Sequence, residues 1–489
     1  MVRFRMEGSR DRWRTAAWLL LGVVALSLLV GLERHEQYTQ DTTLVIDGTR
    51  RALSCMGDGV FRACRYHPAA HSSGVNPYPL LQYLLTAPLV VFTDHRIRHL
   101  LAWANAVAVI AATVLVVRYA ARRGGPRLGF LALVAMVSSM VVPYAGSTFG
   151  EPLAMLAFVG FCLLALADRP SRWLAVTTFL AVVGKETFFP IVILYIVGFL
   201  LLSDADASSR WRKARLAGVG VVLGVAANLV FNIFRFGRID NVQYLNQGKR
   251  PAPLAAAESF VSLLISPNGG LFWFWFMGFA AAALLAVIVV MNFVRPRPSI
   301  GRRRQLGIAA IVAGFVTGTA SLALWWMPFG WYSWGPRLLV PLVPPLFLAV
   351  ATVVPRLGAR AWKAGLGAVV VACILLVPNY AFVFAPDTWM THWSATVAGE
   401  PGCSSSYNIA TDDGLARFHR CVMRAAWRTS SMPLIESVRG ATDDDPLWYW
   451  ATVTAALSGA FLFVEGVRRS DSSEGDRISR SPNDDLVAR

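Results

Sequence analysis

The stretch FLAVVGKETFFPIVILY, Phe179 to Tyr195, decides the fold. It lies inside an apolar run from Trp173 to Leu202 that reads as membrane-spanning except for Lys185 and Glu186 at its middle. As one helix the run would be roughly 45 Å long, against a bilayer core of about 30 Å. Basic residues stand at both of its ends, Arg169 and Arg172 before it and Arg210, Arg212, Lys213 and Arg215 after it. Loops that retain positive charge lie on the cytoplasmic side, so one straight helix would put one of these clusters on the wrong side. The run is therefore expected to be a hairpin of two short spans, with Lys185 and Glu186 at its outer apex, clear of lipid.

The rest of the chain fits that solvent. Of 489 residues, 55% are hydrophobic and only 15% charged, and apolar blocks recur along nearly the whole length. That is the composition of a polytopic all-α membrane protein, since each span needs about 20 apolar residues. The formal charge of +17 comes from short clusters between hydrophobic blocks, which is the pattern of inside loops and not of a nucleic-acid-binding face. No glycine-rich dinucleotide fingerprint and no P-loop occurs, which disfavours a nucleotide-bound donor. At the start, VRFRMEGSRDRWR precedes TAAWLLLGVVALSLLVGL; the basic segment followed by an apolar core, without a small-x-small cleavage site, reads as an uncleaved first span with its N-terminus inside.

Further inside clusters are Arg122, Arg123 and Arg127; Arg295 to Arg304; Arg356, Arg360 and Lys363; and Arg468 and Arg469. Spans are expected near 15–32, 98–119, 126–143, 151–167, 173–185, 187–202, 214–234, 271–293, 307–327, 337–354, 364–385 and 446–466, about twelve helices with both termini cytoplasmic. The block PYPLLQYLLTAPLVVF, Pro77 to Phe92, would invert every later cluster if it crossed, so it is expected to lie on the outer face. The organisation is then a cytoplasmic segment 1–14, a transmembrane domain 15–385 that includes an outer loop 33–97, a second outer loop 386–445, a last span 446–466, and a polar, disordered cytoplasmic tail 467–489.

Polar residues of interest gather outside. The first outer loop carries Asp41, Asp47, Asp58, His67, His71, Cys55 and Cys64; the second carries Cys403 and Cys421. Four of the six cysteines fall outside as two local pairs, which suits two disulfides in an oxidising compartment better than a zinc site. Cys162 and Cys373 fall in spans.

The order of features along the chain resembles one superfamily. An acidic first outer loop is followed by NPYPLLQYLL, by an acid that opens a span in STFGEPLAMLAFVGFCLLAL, by the lysine of LAVVGKETFFP, and late in the chain by GWYSWGPRLLVPLVPPLFL; FNIFRFGRIDNVQY and LLISPNGGLFWF fit the same pattern. This resembles the GT-C membrane glycosyltransferases, the superfamily of protein O-mannosyltransferases and aminoarabinose transferases, in its bacterial branch. The resemblance covers Asp41 to about Leu348 and rests on the order of the motifs. It implies a GT-C-like arrangement of helices with a structured first outer loop, and transfer of a sugar from a polyprenyl-phosphate donor to an acceptor outside the cytoplasmic membrane.

Residue by residue, the resemblance places a catalytic carboxylate in the first outer loop. Asp41, nine residues before Arg50 in QDTTLVIDGTRRALS, is the best match, although Thr42, Leu44 and Val45 depart from the family pattern, and Asp47 is its rival. A carboxylate is needed there to take the proton of an acceptor hydroxyl as it attacks the anomeric carbon. Glu151 would orient the acceptor or hold a divalent cation together with Asp41; its bland alternative is an acid at a helix start. Lys185 and Arg337 are the candidate cations for the donor phosphate, with Arg235 and Arg238 as weaker ones. The bland alternative for Arg337 is a snorkelling anchor, and Trp325, Trp326, Trp331, Tyr332 and Trp334 suit an interfacial belt. The implied partners are the donor lipid, a glycan, lipid or protein acceptor, and membrane lipids. A lipid-linked-sugar flippase and a noncatalytic envelope assembly protein are the competing classes; the first calls for internal repeats and mid-bilayer polar groups, and no repeat stands out.

Overall fold

The computed structural model describes residues 40–57, 65, 75, 78–93, 96–241, 253–294, 301–325, 327–330, 335–354, 362, 365, 367–372, 394–404 and 412–428. The expected first span, the last span, the tail, most of span 364–385, Cys64, Cys373, Asp58, His67, His71, Trp326, Trp331, Tyr332 and Trp334 lie outside the described residues.

The described part is all helical. Its α-helices are α1 Gln40–Gly57, α2 Leu80–Phe92, α3 Ile97–Val137, α4 Val141–Ala145, α5 Glu151–Leu166, α6 Trp173–Val183, α7 Phe189–Leu202, α8 Ala207–Phe236, α9 Pro253–Ile265, α10 Leu271–Phe274, α11 Phe276–Val294, α12 Arg302–Ala323, α13 Pro344–Val353 and α14 Asp412–Ala426. Among the described residues four helices, α3, α8, α11 and α12, are long and apolar enough to cross a membrane, and α2, α5, α6, α7, α9 and α13 are shorter apolar helices. The protein is thus a helical membrane protein. The described residues do not confirm a number of about twelve spans; they mix long helices with short and broken ones.

α3 is two of the expected spans joined without a loop. Its regular geometry breaks at Gly125, with φ 77° and ψ −177°, next to Pro126. Asn105 near its start donates to the carbonyl oxygens of Ser147 (2.6 Å) and Phe149 (2.7 Å), beyond its end. Those partners stand at nearly equal distances in sequence on either side of Gly125, so the chain turns back there as an antiparallel hairpin.

The run that raised the question of Lys185 is also a hairpin. α6 runs parallel to α8: Gly220 lies against Ala175, Gly224 against Phe179 and Val182, and Asn228 donates to the Val182 carbonyl at 3.2 Å, so both chains advance together. α7 connects to α8 through a short turn and runs back, because Gly198 meets Gly307 and Ile311 of α12 while Gly318 of α12 meets Ile191. Gly184, Lys185 and a 3₁₀ turn at Glu186–Phe188 form the apex between α6 and α7. Tight helix contacts through glycine are the usual means of association in lipid, where burial of apolar surface gives no advantage over the solvent. The exposed faces agree: Val219, Val222, Leu223, Val230 and Ile233 line the free side of α8.

The bundle has two charged poles. At one, Asp204 accepts from Arg123 (3.1 Å) and Arg304 (2.7 Å), Ser209 reaches the Asp168 carbonyl (3.1 Å), and Lys213, fully buried, donates to the carbonyls of Ala165 and Ala167 at the end of α5. Arg127 lies over the ring of Trp362 at 5.6 Å. Among the described residues, basic clusters assigned to a common side are therefore neighbours in space. The opposite pole holds the starts of α5 and α7, the end of α8 and the turn before α13.

α2, at 13 residues, extends only about 20 Å and packs at that second pole, where Tyr83 meets Phe231 of α8 with ring centroids 5.1 Å apart. α14, part of the expected second outer loop, docks on α9: His419 meets Ser259 at 3.0 Å and Trp427 donates to Ser262 at 2.8 Å. Cys403 and Cys421 are joined by a disulfide, with Cα atoms 6.0 Å apart, and Cys55 is also disulfide-bonded.

Gly220→Leu should lower the thermal unfolding temperature of the detergent-solubilised protein by several degrees, because a side chain there collides with the Ala175 backbone; an unchanged transition would mean that α6 and α8 are not packed as described. In the same way, cysteines placed at Lys185 and at Arg212 should react with an impermeant thiol reagent from opposite faces of sealed vesicles. Labelling of both from one face would abolish the two-pole arrangement.

Candidate functional site

Four segments distant in sequence deliver ionisable groups to the second pole. Glu151 opens α5, with Pro152 in the first turn where its missing N–H leaves nothing unpaired. The helix N-terminus favours the carboxylate. Its partner is Arg337, with Nε 3.2 Å from Oε1 and side chains 9% and 15% exposed for arginine and glutamate respectively.

Arg337 reaches that position through an irregular approach. Span 337–354 was expected to begin as a helix at the interface; instead Arg337–Leu339 is a single 3₁₀ turn and regular helix starts at Pro344. Gly335, with φ 60°, makes the turn and has the Phe274 ring against its α-carbon. Gly330, with φ 83°, faces the guanidinium so closely that a Cβ there would stand 3.2 Å from Nε. Only glycine combines that backbone with that proximity. The guanidinium also lies over the Phe149 ring, with Cζ 3.9 Å from the centroid. A buried guanidinium with a carboxylate and an aromatic face is not the snorkelling anchor that a helix-end arginine usually is.

Lys185 is the only extended residue between α6 and the 3₁₀ turn, and its Nζ stands 5.3 Å from the centre of the Trp325 ring. Trp325, expected as part of an interfacial belt, is instead a neighbour of this ammonium group. Desolvation draws the Lys185 pKa down to about 8; the negative charge of Glu151 opposes that shift, Arg337 adds to it, and Glu186 opposes it. Lys185 is therefore within electrostatic reach of both members of the Glu151–Arg337 pair.

Arg235 has a different role from the phosphate cation expected of it. It is completely buried, donates through Nη2 to Glu186 and through Nη1 to the Tyr78 carbonyl (2.6 Å), and packs on Phe231 and Phe236. Its charge is matched by Glu186, so it belongs to the frame. Arg238 pairs with Asp240 at 3.0 Å on the surface, its side chain 64% exposed. Among the expected cations, Lys185 and Arg337 are brought together and Arg235 and Arg238 are directed elsewhere.

The acids of α1 are separated by their helical positions. Asp47 is 44% exposed and lies 3.7 Å from Arg50 on its own helix. Asp41 stands one turn before Val45, and Val45 lines a small crevice with Gln82, Asn105, Thr148 and Phe149, next to Glu151. The crevice, about 10 Å³, has room for a single water-sized group, and the side-chain carbonyl oxygens of Gln82 and Asn105 are buried there with no hydrogen-bond donor.

Among the described residues no cluster of three or more His, Cys, Asp or Glu could hold a metal ion. Glu151, expected as a ligand with Asp41, already neutralises Arg337 and feels Lys185, so a divalent cation there would face two positive charges with one carboxylate. Asp41, the other expected ligand, has its side chain outside the described residues.

No protein-family model matches the chain, and no curated protein is similar to it in sequence. The structure is similar to two crystal structures of ArnT from Cupriavidus metallidurans. In the apo state the identity is 14% over 88% of this chain and 79% of that one, with a TM-score of 0.42. In the state bound to undecaprenyl phosphate it is 13% over 87% and 78%, with a TM-score of 0.44. At TM-scores below 0.5 this likeness transfers no residue role, ligand or reaction to the chain; the geometry of the pole has to do that.

Arg337→Met should destabilise the protein by about 3 kcal/mol, since it leaves the Glu151 carboxylate buried without its partner. The double variant with Glu151→Met should recover most of that loss in denaturant unfolding. Additive losses would show that the two side chains do not act as a pair.

Proposed function

We propose that this protein is a GT-C-type membrane glycosyltransferase, moving a sugar from a polyprenyl-phosphate donor to a hydroxyl of an acceptor outside the cytoplasmic membrane. The observation that carries the proposal is the convergence of Lys185 and Arg337 with Glu151 at the pole opposite the basic loops. With those loops in the cytoplasm, the pole faces outward, at the depth of lipid headgroups.

The chemistry accounts for two cations. In the donor, phosphate is esterified to both lipid and sugar and carries one negative charge; when the sugar–oxygen bond breaks, the departing polyprenyl phosphate gains a second. Cations fixed in a poorly solvated site therefore interact more strongly with the transition state than with the bound donor. Arg337 offers a planar fork for phosphate oxygens and Lys185 a point charge. Glu151 holds the guanidinium in place and touches no reacting atom.

Asp41 is proposed as the base. It accepts the proton of the acceptor hydroxyl while that oxygen bonds to the anomeric carbon and the carbon–phosphate oxygen bond breaks, a single displacement with inversion. On α1 it precedes by one turn Val45, which lines the crevice beside Glu151, and the unpaired carbonyl oxygens of Gln82 and Asn105 there suit an incoming hydroxyl. Asp47, paired with Arg50, is less suited.

Purified protein incubated with labelled donor lipid should release free polyprenyl phosphate. Asp41→Asn should lower turnover about 10²-fold or more with little change in donor binding. Arg337→Ala and Lys185→Ala should weaken donor binding as well as turnover. If Asp47→Asn abolishes turnover while Asp41→Asn is fully active, the base is Asp47; if neither changes it, the first loop is not catalytic.

The lysine also sets a pH dependence. With its pKa held near 8, Lys185 is a cation below that pH and neutral above it, so binding of polyprenyl phosphate to the free protein should weaken as pH rises through about 8. In Lys185→Ala that dependence should vanish and leave the weaker, pH-independent contribution of Arg337. A wild-type profile flat across this range would remove Lys185 from the site.

A further inference from the structure

Glu186 follows Lys185 directly, yet sugar transfer as described has no use for it. Its surroundings are elaborate for an apex residue. Oε1 accepts from Arg235 Nη2 and from Asn241 Nδ2 at 3.2 Å, and Oε2 accepts from Asn232 Nδ2 at 3.4 Å. Arg235 is held in turn by the Asn232 side-chain oxygen (3.0 Å to Nε) and by the Tyr78 carbonyl (2.6 Å to Nη1). One buried ion pair thus joins the hairpin apex, the end of α8, the segment after it and Tyr78 just ahead of α2.

A buried ion pair gives up the hydration of two charges and is often no more stabilising than apolar packing, so its presence calls for a reason other than stability. The apex itself supplies one. It consists of a glycine, one extended residue and a single 3₁₀ turn, with little intrinsic rigidity, and Lys185 is the extended residue. An ammonium group on a long side chain is only as well placed as its backbone.

We propose that Glu186, gripped by Arg235, is the positioning residue of the phosphate site, fixing the apex so that Lys185 is presented as a cation beside Arg337; this rests on the phosphate role proposed above for Lys185. Glu186 acts on Lys185 in two ways, through the backbone that they share and through its negative charge. The groups that face the ammonium are Glu151 from α5, Arg337 from the turn before α13, Trp325 from the end of α12 and Glu186 from its own segment. Glu151 is bound to Arg337 and Glu186 to Arg235, so removal of either acid leaves Lys185 facing an excess of positive charge, and Glu186 is the one that shares its backbone segment.

Binding of undecaprenyl phosphate to the detergent-solubilised full chain, followed as a function of pH, tests this. In Glu186→Gln the pH above which binding falls should move down by about one unit relative to the wild type, because a nearby negative charge has been lost, while affinity well below that pH changes several-fold at most. A merely structural glutamate would lower affinity equally at all pH values, and that result would overturn the proposal, as would an unmoved midpoint. If Glu186→Gln does not fold, Glu186→Asp decides: it keeps the charge but is one methylene shorter, so the midpoint should stay while affinity falls about tenfold, and wild-type affinity there would exclude positioning. A wild-type protein that binds no undecaprenyl phosphate would overturn the phosphate site itself; one that binds it with a Lys185-dependent profile insensitive to Glu186 would overturn only the present inference.

Discussion

The contact on which the second pole depends is the ion pair between Arg337 and Glu151. It joins the irregular segment before α13 to the first turn of α5, nearly two hundred residues earlier in the chain. Removing two charges from water is costly, and the surroundings offset part of that cost: the N-terminus of α5 favours the carboxylate, and the Phe149 ring and the bare backbone of Gly330 accommodate the guanidinium. Once the pair is in place, the position of Lys185 becomes sensible. It feels Glu151, Arg337 and Glu186 together, and the phosphate role proposed for it rests on that placement.

A similar economy governs the rest of the pole. Arg235, the most deeply buried arginine of α8, is neutralised by Glu186 and so adds no free positive charge near the proposed phosphate site. Four charges in two pairs, with Lys185 beside them, divide into a frame and a working surface. The opposite pole has its own acid, Asp204, which draws Arg123 and Arg304 together across three loops. Those charges are half exposed, so the contact registers the loops against one another more than it stabilises the fold.

The placement of charge also separates the competing classes of function. A transporter that alternates its access needs polar groups near mid-bilayer, whereas among the described residues the ionisable clusters of the structure lie at the two ends of the bundle. Chemistry on a lipid headgroup, as proposed here, needs its cations at one end only, and Lys185 and Arg337 share one pole.

The sequence by itself determined the membrane class, the turning back of the run from Trp173 to Leu202, and the grouping of the basic clusters, because these follow from the length of apolar runs and the distribution of arginine and lysine. It also singled out Glu151, Lys185 and Arg337, whose residue types are unusual within apolar surroundings, and the local pair Cys403 and Cys421. What it left open was pairing. Arg235 and Lys185 look alike in a sequence, as cations beside apolar segments, and only packing tells them apart: α6 beside α8 brings Glu186 to the first, and α12 against α7 brings Trp325 to the second. Nor could hydropathy show that Arg337 precedes a broken span, since apolar composition records what can be buried in lipid and not where the backbone turns. Glycines at positive φ beside a guanidinium are decided by contacts between segments far apart in the chain, and those exist only once the chain has folded.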